Sequence, residues 1–147
     1  MRGFTETDLN QNPINLLSAM QALVTHLIRA THDRVTRHLS QGKSDFEARN
    51  ESQCFLAKDL SIAFVQTTVL DRFLRHINDD EDVYERREKL VLNDLAYLYG
   101  LSCLQGHLPH LLQFGIFPTS DFVGWINTQV VETCNKVTFE HSNFQRN

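Results

Sequence analysis

Apolar residues recur along this chain mostly at three- and four-residue spacing, the signature of helices that bury one face. Leu16, Met20, Leu23, Leu27, Val35 and Leu39 mark the first long helix. Its expected start is Asn12-Pro13, an N-cap residue type followed by proline at the first helical position, where the missing N–H costs nothing. Gly42 is the expected stop, because glycine tolerates the left-handed conformation that closes helices. The polar run GKSDFEARNESQC, residues 42–54, comes next. Within it Ser44 and Glu47 have the S-x-x-E spacing of a capping box, and Asp45 adds negative charge near the positive end of the helix dipole. A second helix is therefore predicted to run towards Ile77, with Leu56, Leu60, Phe64, Leu70, Phe73 and Leu74 facing inward.

The stretch NDDEDVYERREK reads as a turn and a solvated helix start, with Asp79, Asp80 or Asp82 as the cap. Val83, Leu90, Val91, Leu95, Leu98, Leu101 and Leu104 are the expected inner positions of a third helix, and Glu85 precedes Lys89 in the favourable i,i+4 order. Pro109 disturbs the end of that helix, and QFGIFPTS is the clearest break in the chain. Ser120 is the expected cap of a fourth helix bearing Phe122, Val123, Ile126, Val130 and Val131. Long helices with short connections predict an all-α fold, an antiparallel helical bundle of about four long helices. The expected divisions are an N-terminal extension over residues 1–12, a helical domain over 13–139 and a polar tail over 140–147.

Composition narrows the function classes. A chain of 147 residues with 41% hydrophobic and 22% charged residues suits one folded domain, not a disordered segment. A formal charge of −4 and a pI near 5.9 argue against a nucleic-acid surface, which needs clustered Lys and Arg. No apolar run approaches the roughly 20 residues that cross a bilayer, and MRGFTETDLNQNP lacks the apolar core of a secretion signal. Cys54, Cys103 and Cys134 form no C-x-x-C pair and sit in apolar company, so they read as reduced thiols in an intracellular compartment.

Candidate chemistry is sparse. A catalytic carboxylate pair in SDFE is the rival to the capping box, but both acids have structural work and no histidine follows nearby. The acidic turn lacks the D-x-D-x-D-G spacing of a Ca²⁺ loop. His107 and His110 are three apart, yet Pro109 lies between them and no E-x-x-H partner occurs. His26, His32 and His38 are spaced by six, which turns successive side chains by about 240° and keeps them from converging on one ion. Surface or hydrogen-bonded core histidines are the expectation, and no metal site is predicted. Phosphate-cradling glycine loops and the G-x-S-x-G elbow are absent, so the residues nominate no catalytic site.

Longer stretches carry a resemblance. GKSDFEARNESQCFLAKDLSIAFVQTTVLDRFLRHI and LNDLAYLYGLSCLQGHLPHLLQFGIFPTSDF resemble the C-terminal helical domain of the peroxisomal acyl-CoA oxidase family, with its pristanoyl-type and acyl-CoA oxidase-like members the most similar. Glu47-Ala48-Arg49-Asn50 matches the family's helix entry, although straight-chain members often carry tryptophan where Arg49 stands. Leu95, Leu98, Tyr99 and Leu101 match a Leu-x-x-Leu-Tyr-x-Leu run, and Gly115-Ile116-Phe117 matches a later glycine-led stretch. The likeness covers about residues 14 to 136 and is cumulative, since no single motif is diagnostic.

The resemblance implies FAD-dependent oxidation of acyl-CoA to trans-2-enoyl-CoA, with hydrogen peroxide formed, in fatty acid beta-oxidation. It also implies that the catalytic glutamate and most FAD and CoA contacts belong to regions upstream of the matched segment, so that Glu47 is not the family's base. The matched domain is implied to join an acyl-CoA-dehydrogenase-like body and help close a homodimer around its flavins. On that basis this chain is expected to be non-catalytic alone and to bind no FAD by itself. Its expected partners are an oxidase body or a dimer mate. A free-standing helical module that self-associates or binds oxidase subunits is the alternative. The family places it in the peroxisome. VTFEHSNFQRN departs from the family's ending and lacks an S-K-L-type tripeptide, which suggests a short isoform or truncated product, cytoplasmic if the family address is lost.

Overall fold

Asn12 does begin the longest helix. In the computed structural model, which describes residues 3–79 and 84–144, its side-chain oxygen accepts from the N–H groups of Ile14 and Asn15 at 3.1 and 3.2 Å. A short helix α1 (Glu6–Leu9) precedes α2 (Pro13–Ser40). At the far end of α2, Gly42 adopts φ +83°, the Gly42 N–H donates to the Leu39 carbonyl and the Lys43 N–H to that of His38. These two bonds form a Schellman motif, which satisfies carbonyls that a helix end leaves without partners.

Helix α3 (Asp45–Ser52) starts on the predicted capping box: the Glu47 N–H donates to Ser44 Oγ at 3.3 Å, and the Ser44 N–H to Glu47 Oε2 at 3.0 Å. A π-helical turn (Gln53–Ala57) joins it to α4 (Lys58–Asp79). The extra residue in that turn rotates the inward face of everything after it. Ala63, Leu70, Leu74 and Ile77 are buried on one face of α4, and Leu56, Leu60 and Phe73 are half-buried. Phe64 is 58% exposed, contrary to its expected place in the core, because its position one residue past Ala63 turns it off that face.

Helix α5 (Arg86–Gly106) begins after Glu85, whose N–H donates to Glu88 Oε2 at 2.9 Å. Of the expected caps, Asp79 closes α4 instead, while Asp80 and Asp82, with Val83, lie outside the described residues. The inner face of α5 is Ala96, Tyr97, Gly100, Leu101, Cys103 and Leu104, so Leu101 and Leu104 are core as predicted. Leu90, at 59%, and Leu95 face outward instead. Pro109 falls in the first turn of a separate helix α6 (Leu108–Gln113), where proline is tolerated. After the break, α7 (Asp121–Phe144) follows directly on Ser120, buries Phe122 and Ile126, and leaves Val131 exposed.

Side-chain pairs fix the directions. Gln105 bonds Asn127, Tyr97 bonds Gln129 and Lys136 bonds Asp94, so α5 and α7 run antiparallel. Gln66 to His107 and His76 to Tyr84 give the same relation for α4 and α5. Helix α5 is central, packed on α2 and α4 on one side and on α7 on the other. Gly100 sets the depth of that packing: a Cβ there would lie 2.9 Å from Leu16 Cδ1, 3.2 Å from Leu16 Cβ and 3.3 Å from Leu70 Cδ2. Among the described residues there is no strand, and no helix is long and apolar enough to cross a membrane.

Candidate functional site

The acid-rich stretch resolves into helix-starting contacts. Glu47 also accepts from the Ser44 hydroxyl at 2.7 Å, and these bonds from Ser44 hold its carboxyl below the usual range. Glu51 takes the Lys43 ammonium, which lowers its carboxyl in the same way. Both carboxylates are solvent-facing, and neither has the burial that raises a general acid towards neutrality.

Two of the seven histidines form the most organised polar feature. The junction of α5 and α6 sets His107 and His110 against α4, where His107 Nε2 meets Gln66 Oε1 and His110 Nε2 meets Asp59 Oδ2, each at 2.8 Å. Burial pushes the His107 imidazole below its ordinary pKa, with Asp59 opposing that shift and His110 adding to it. Phe114 stacks on His110 at 5.9 Å between ring centres and on His26 at 5.3 Å. The arrangement clamps α6 onto α4. His26, His32 and His38 stay apart: the first lies on Phe114, the second beside exposed Asp33, and the third 3.7 Å from Glu51. Among the described residues no group of three or more His, Cys, Asp or Glu side chains converges as metal ligands would.

The cysteines divide. Cys103 is buried, and burial raises its thiol; Cys54 and Cys134 are exposed, which corrects the expectation that all three share apolar surroundings. All three are unpaired thiols.

Two of several concave regions flank α2. One is an open groove of about 400 Å³ between α2 and α4, with Phe64 and Val24 at its apolar side and Asp71, Arg72 and Arg75 at its charged side. The other is a cavity of about 240 Å³ under Phe4, bordered by Ala22, His26, Phe114 and Gly115. Neither offers free backbone N–H groups to the pyrophosphate of a dinucleotide. The groove is lined from within helices, whose N–H groups are engaged along the helix axis. Around the cavity the N–H groups of Phe4, Phe114, Gly115 and Ile116 already donate to carbonyls, which leaves none of them for a pyrophosphate.

A further surface feature is apolar. Ile62, Val65 and Val69, spaced three and four apart along α4, share one exposed helix face at 41%, 59% and 47%. A run of large apolar side chains on a surface marks a contact region. Three- and four-residue spacing would equally suit a buried face, so periodicity in the sequence does not distinguish it.

Comparison with known proteins converges on one family. The family model described as acyl-CoA oxidase matches residues 12–140. The human peroxisomal acyl-coenzyme A oxidase 3 is 32% identical over 121 residues, covering 82% of this chain and 17% of that protein. The acyl-coenzyme A oxidase acox-3 of Caenorhabditis elegans is 35% identical over 106 residues, 69% of this chain and 15% of its own length. No solved structure gives a significant match. The chain thus spans about one-sixth of the curated relatives it matches, and through a helical domain of the C-terminal type it belongs to the acyl-CoA oxidase family.

Proposed function

We propose that this chain acts as the C-terminal-type helical module of an acyl-CoA oxidase, working by packing against an oxidase body instead of carrying the chemistry. The observation behind this reading is the exposed Ile62–Val65–Val69 face on a domain that corresponds to about one-sixth of its relatives. The capped acids and clamped histidines are consistent with it, since each titratable cluster has a structural use. FAD is the cofactor of the family, and it supplies hydride acceptance and electron transfer to dioxygen when bound. In this reading the flavin and the acyl-CoA are held by the oxidase body, and this chain supplies apolar contact area. Peroxisomal residence and a part in fatty acid beta-oxidation follow from the same kinship, as does the oxidase dimer as the setting for the contact.

Purified chain incubated with FAD and a series of acyl-CoAs tests the chemical half of the proposal. The expected result is no peroxide and no yellow flavin retained after gel filtration. Stoichiometric flavin with turnover would overturn it.

A further inference from the structure

The segment ahead of the family match does more than precede the domain. Residues 3–11 fold back over the bundle end formed by α2 and the turn after α6. Phe4 donates its N–H to the Ile116 carbonyl at 3.0 Å and packs on the core, and Leu9 is 0% exposed within it. Between these two anchors Thr5 and Asp8 close a capping box of their own, so the segment is a locally folded unit. Asn15 on α2 reaches back to the Asp8 carbonyl.

The joint between this unit and α2 is strained. Gln11 has φ +51°, and it is the one non-glycine among the described residues on the positive side. Left-handed backbone costs an ordinary residue free energy, because Cβ approaches the following carbonyl oxygen. A cavity of about 240 Å³ borders the seat, lined by Gly3 and Phe4 of the segment and by Ala22, His26 and Phe114 of the bundle. A short strained hinge that holds a pre-folded element in an apolar seat favours exchange of that element between identical chains.

We propose that residues 3–11 are a detachable strap, and that a second copy of this chain takes the released seat by reciprocal strap exchange. Each strap then makes the same contacts to Ile116, Asn15 and the core of the other copy. The hinge extends and Gln11 leaves the left-handed region. The closed two-fold arrangement leaves no strap or seat unfilled, so association stops at the dimer. This device requires only the chain itself and stands whether or not the chain binds an oxidase body.

Two substitutions at the hinge test it in the full chain. Proline fixes φ near −65°, so Gln11→Pro forbids the closed turn. Asn10, at φ −62° and ψ 121°, already has the extended conformation required before proline. Gln11→Pro is expected to sediment at twice the monomer mass, with the Phe4 amide still protected from hydrogen exchange. Gln11→Gly relaxes the closed turn and is expected to weaken any dimer of the parent by on the order of tenfold or more. Sedimentation from micromolar to millimolar chain, after prolonged incubation, gives both readings. A monomeric Gln11→Pro chain, with its strap seated or loose, overturns the proposal. Should that variant fail to fold, a parent that dimerises no more readily than Gln11→Gly overturns it equally.

Discussion

Gly100→Ala is the substitution whose sign depends most directly on the packing described above. Helix propensity alone predicts stabilisation, because alanine is favoured over glycine by about 1 kcal/mol inside a helix. The structure opposes it. The new methyl would meet Leu16 Cδ1 at 2.9 Å, and that atom can swing away, but Leu16 Cβ at 3.2 Å is fixed to the α2 backbone and Leu70 Cδ2 at 3.3 Å is enclosed. Both leucines are fully buried, so relief requires α2 or α4 to move back from α5 by a few tenths of an ångström. Overpacking of this kind costs about 1–3 kcal/mol. Set against the propensity gain, the expected net loss is about 1 kcal/mol, or roughly 2–4 °C in melting temperature for a domain of this size. Urea unfolding followed by far-UV circular dichroism reads it as a lower midpoint at unchanged slope. Leu16→Ala alone should cost about 2–5 kcal/mol, and the double variant less than the sum of the two, because the methyl then has room. A Gly100→Ala chain more stable than its parent would refute the close three-helix contact.

Other expectations follow from local contacts. Ser44→Ala removes the acceptor of the Glu47 N–H, and because the site is solvent-facing the loss in urea unfolding should fall near the low end of about 0.5–2 kcal/mol. His107 has its folded pKa lowered, so the fold favours the neutral ring: that contribution is complete above the unfolded value near 6.5 and is lost as pH falls from there towards the folded value. Unfolding midpoints measured from pH 7.5 to 5 should therefore drop on acidification, and drop less in His107→Gln, which has no titrating ring. Tyr97→Phe deletes the phenol that bridges to Gln129 on α7, with an expected cost of about 0.5–1.5 kcal/mol and faster amide exchange in α7.

Helix boundaries were the most legible part of the sequence because caps are local chemistry. Asn12-Pro13, Gly42, Ser44 with Glu47, and the break at Pro109 each act within a few residues, and each appears where the pattern puts it. Which side of a helix faces inward was less legible. Ala63, Leu70, Leu74 and Ile77 share one face of α4, and Phe64, one residue beyond Ala63, is turned about 100° away from it and is exposed. In α5 the core is set by Gly100 and Tyr97, which a count of leucines passes over in favour of Leu90 and Leu95. The histidine clamp was illegible for a different reason. Asp59 and Gln66 lie 51 and 41 residues from their partners, and only tertiary structure brings them together. The family likeness, by contrast, was spread over many weak positions and survived all of these local errors.

The central claim, that this module works through contact with an oxidase body, is tested most directly by co-sedimentation with a purified full-length peroxisomal acyl-CoA oxidase. The parent chain is expected to travel with the oxidase. A Val65→Lys, Val69→Lys double variant, altered only on the exposed face of α4, is expected to stay behind while keeping its helical circular dichroism. A parent chain that sediments independently of the oxidase at every concentration, or a lysine variant that binds as well as the parent, would contradict the account.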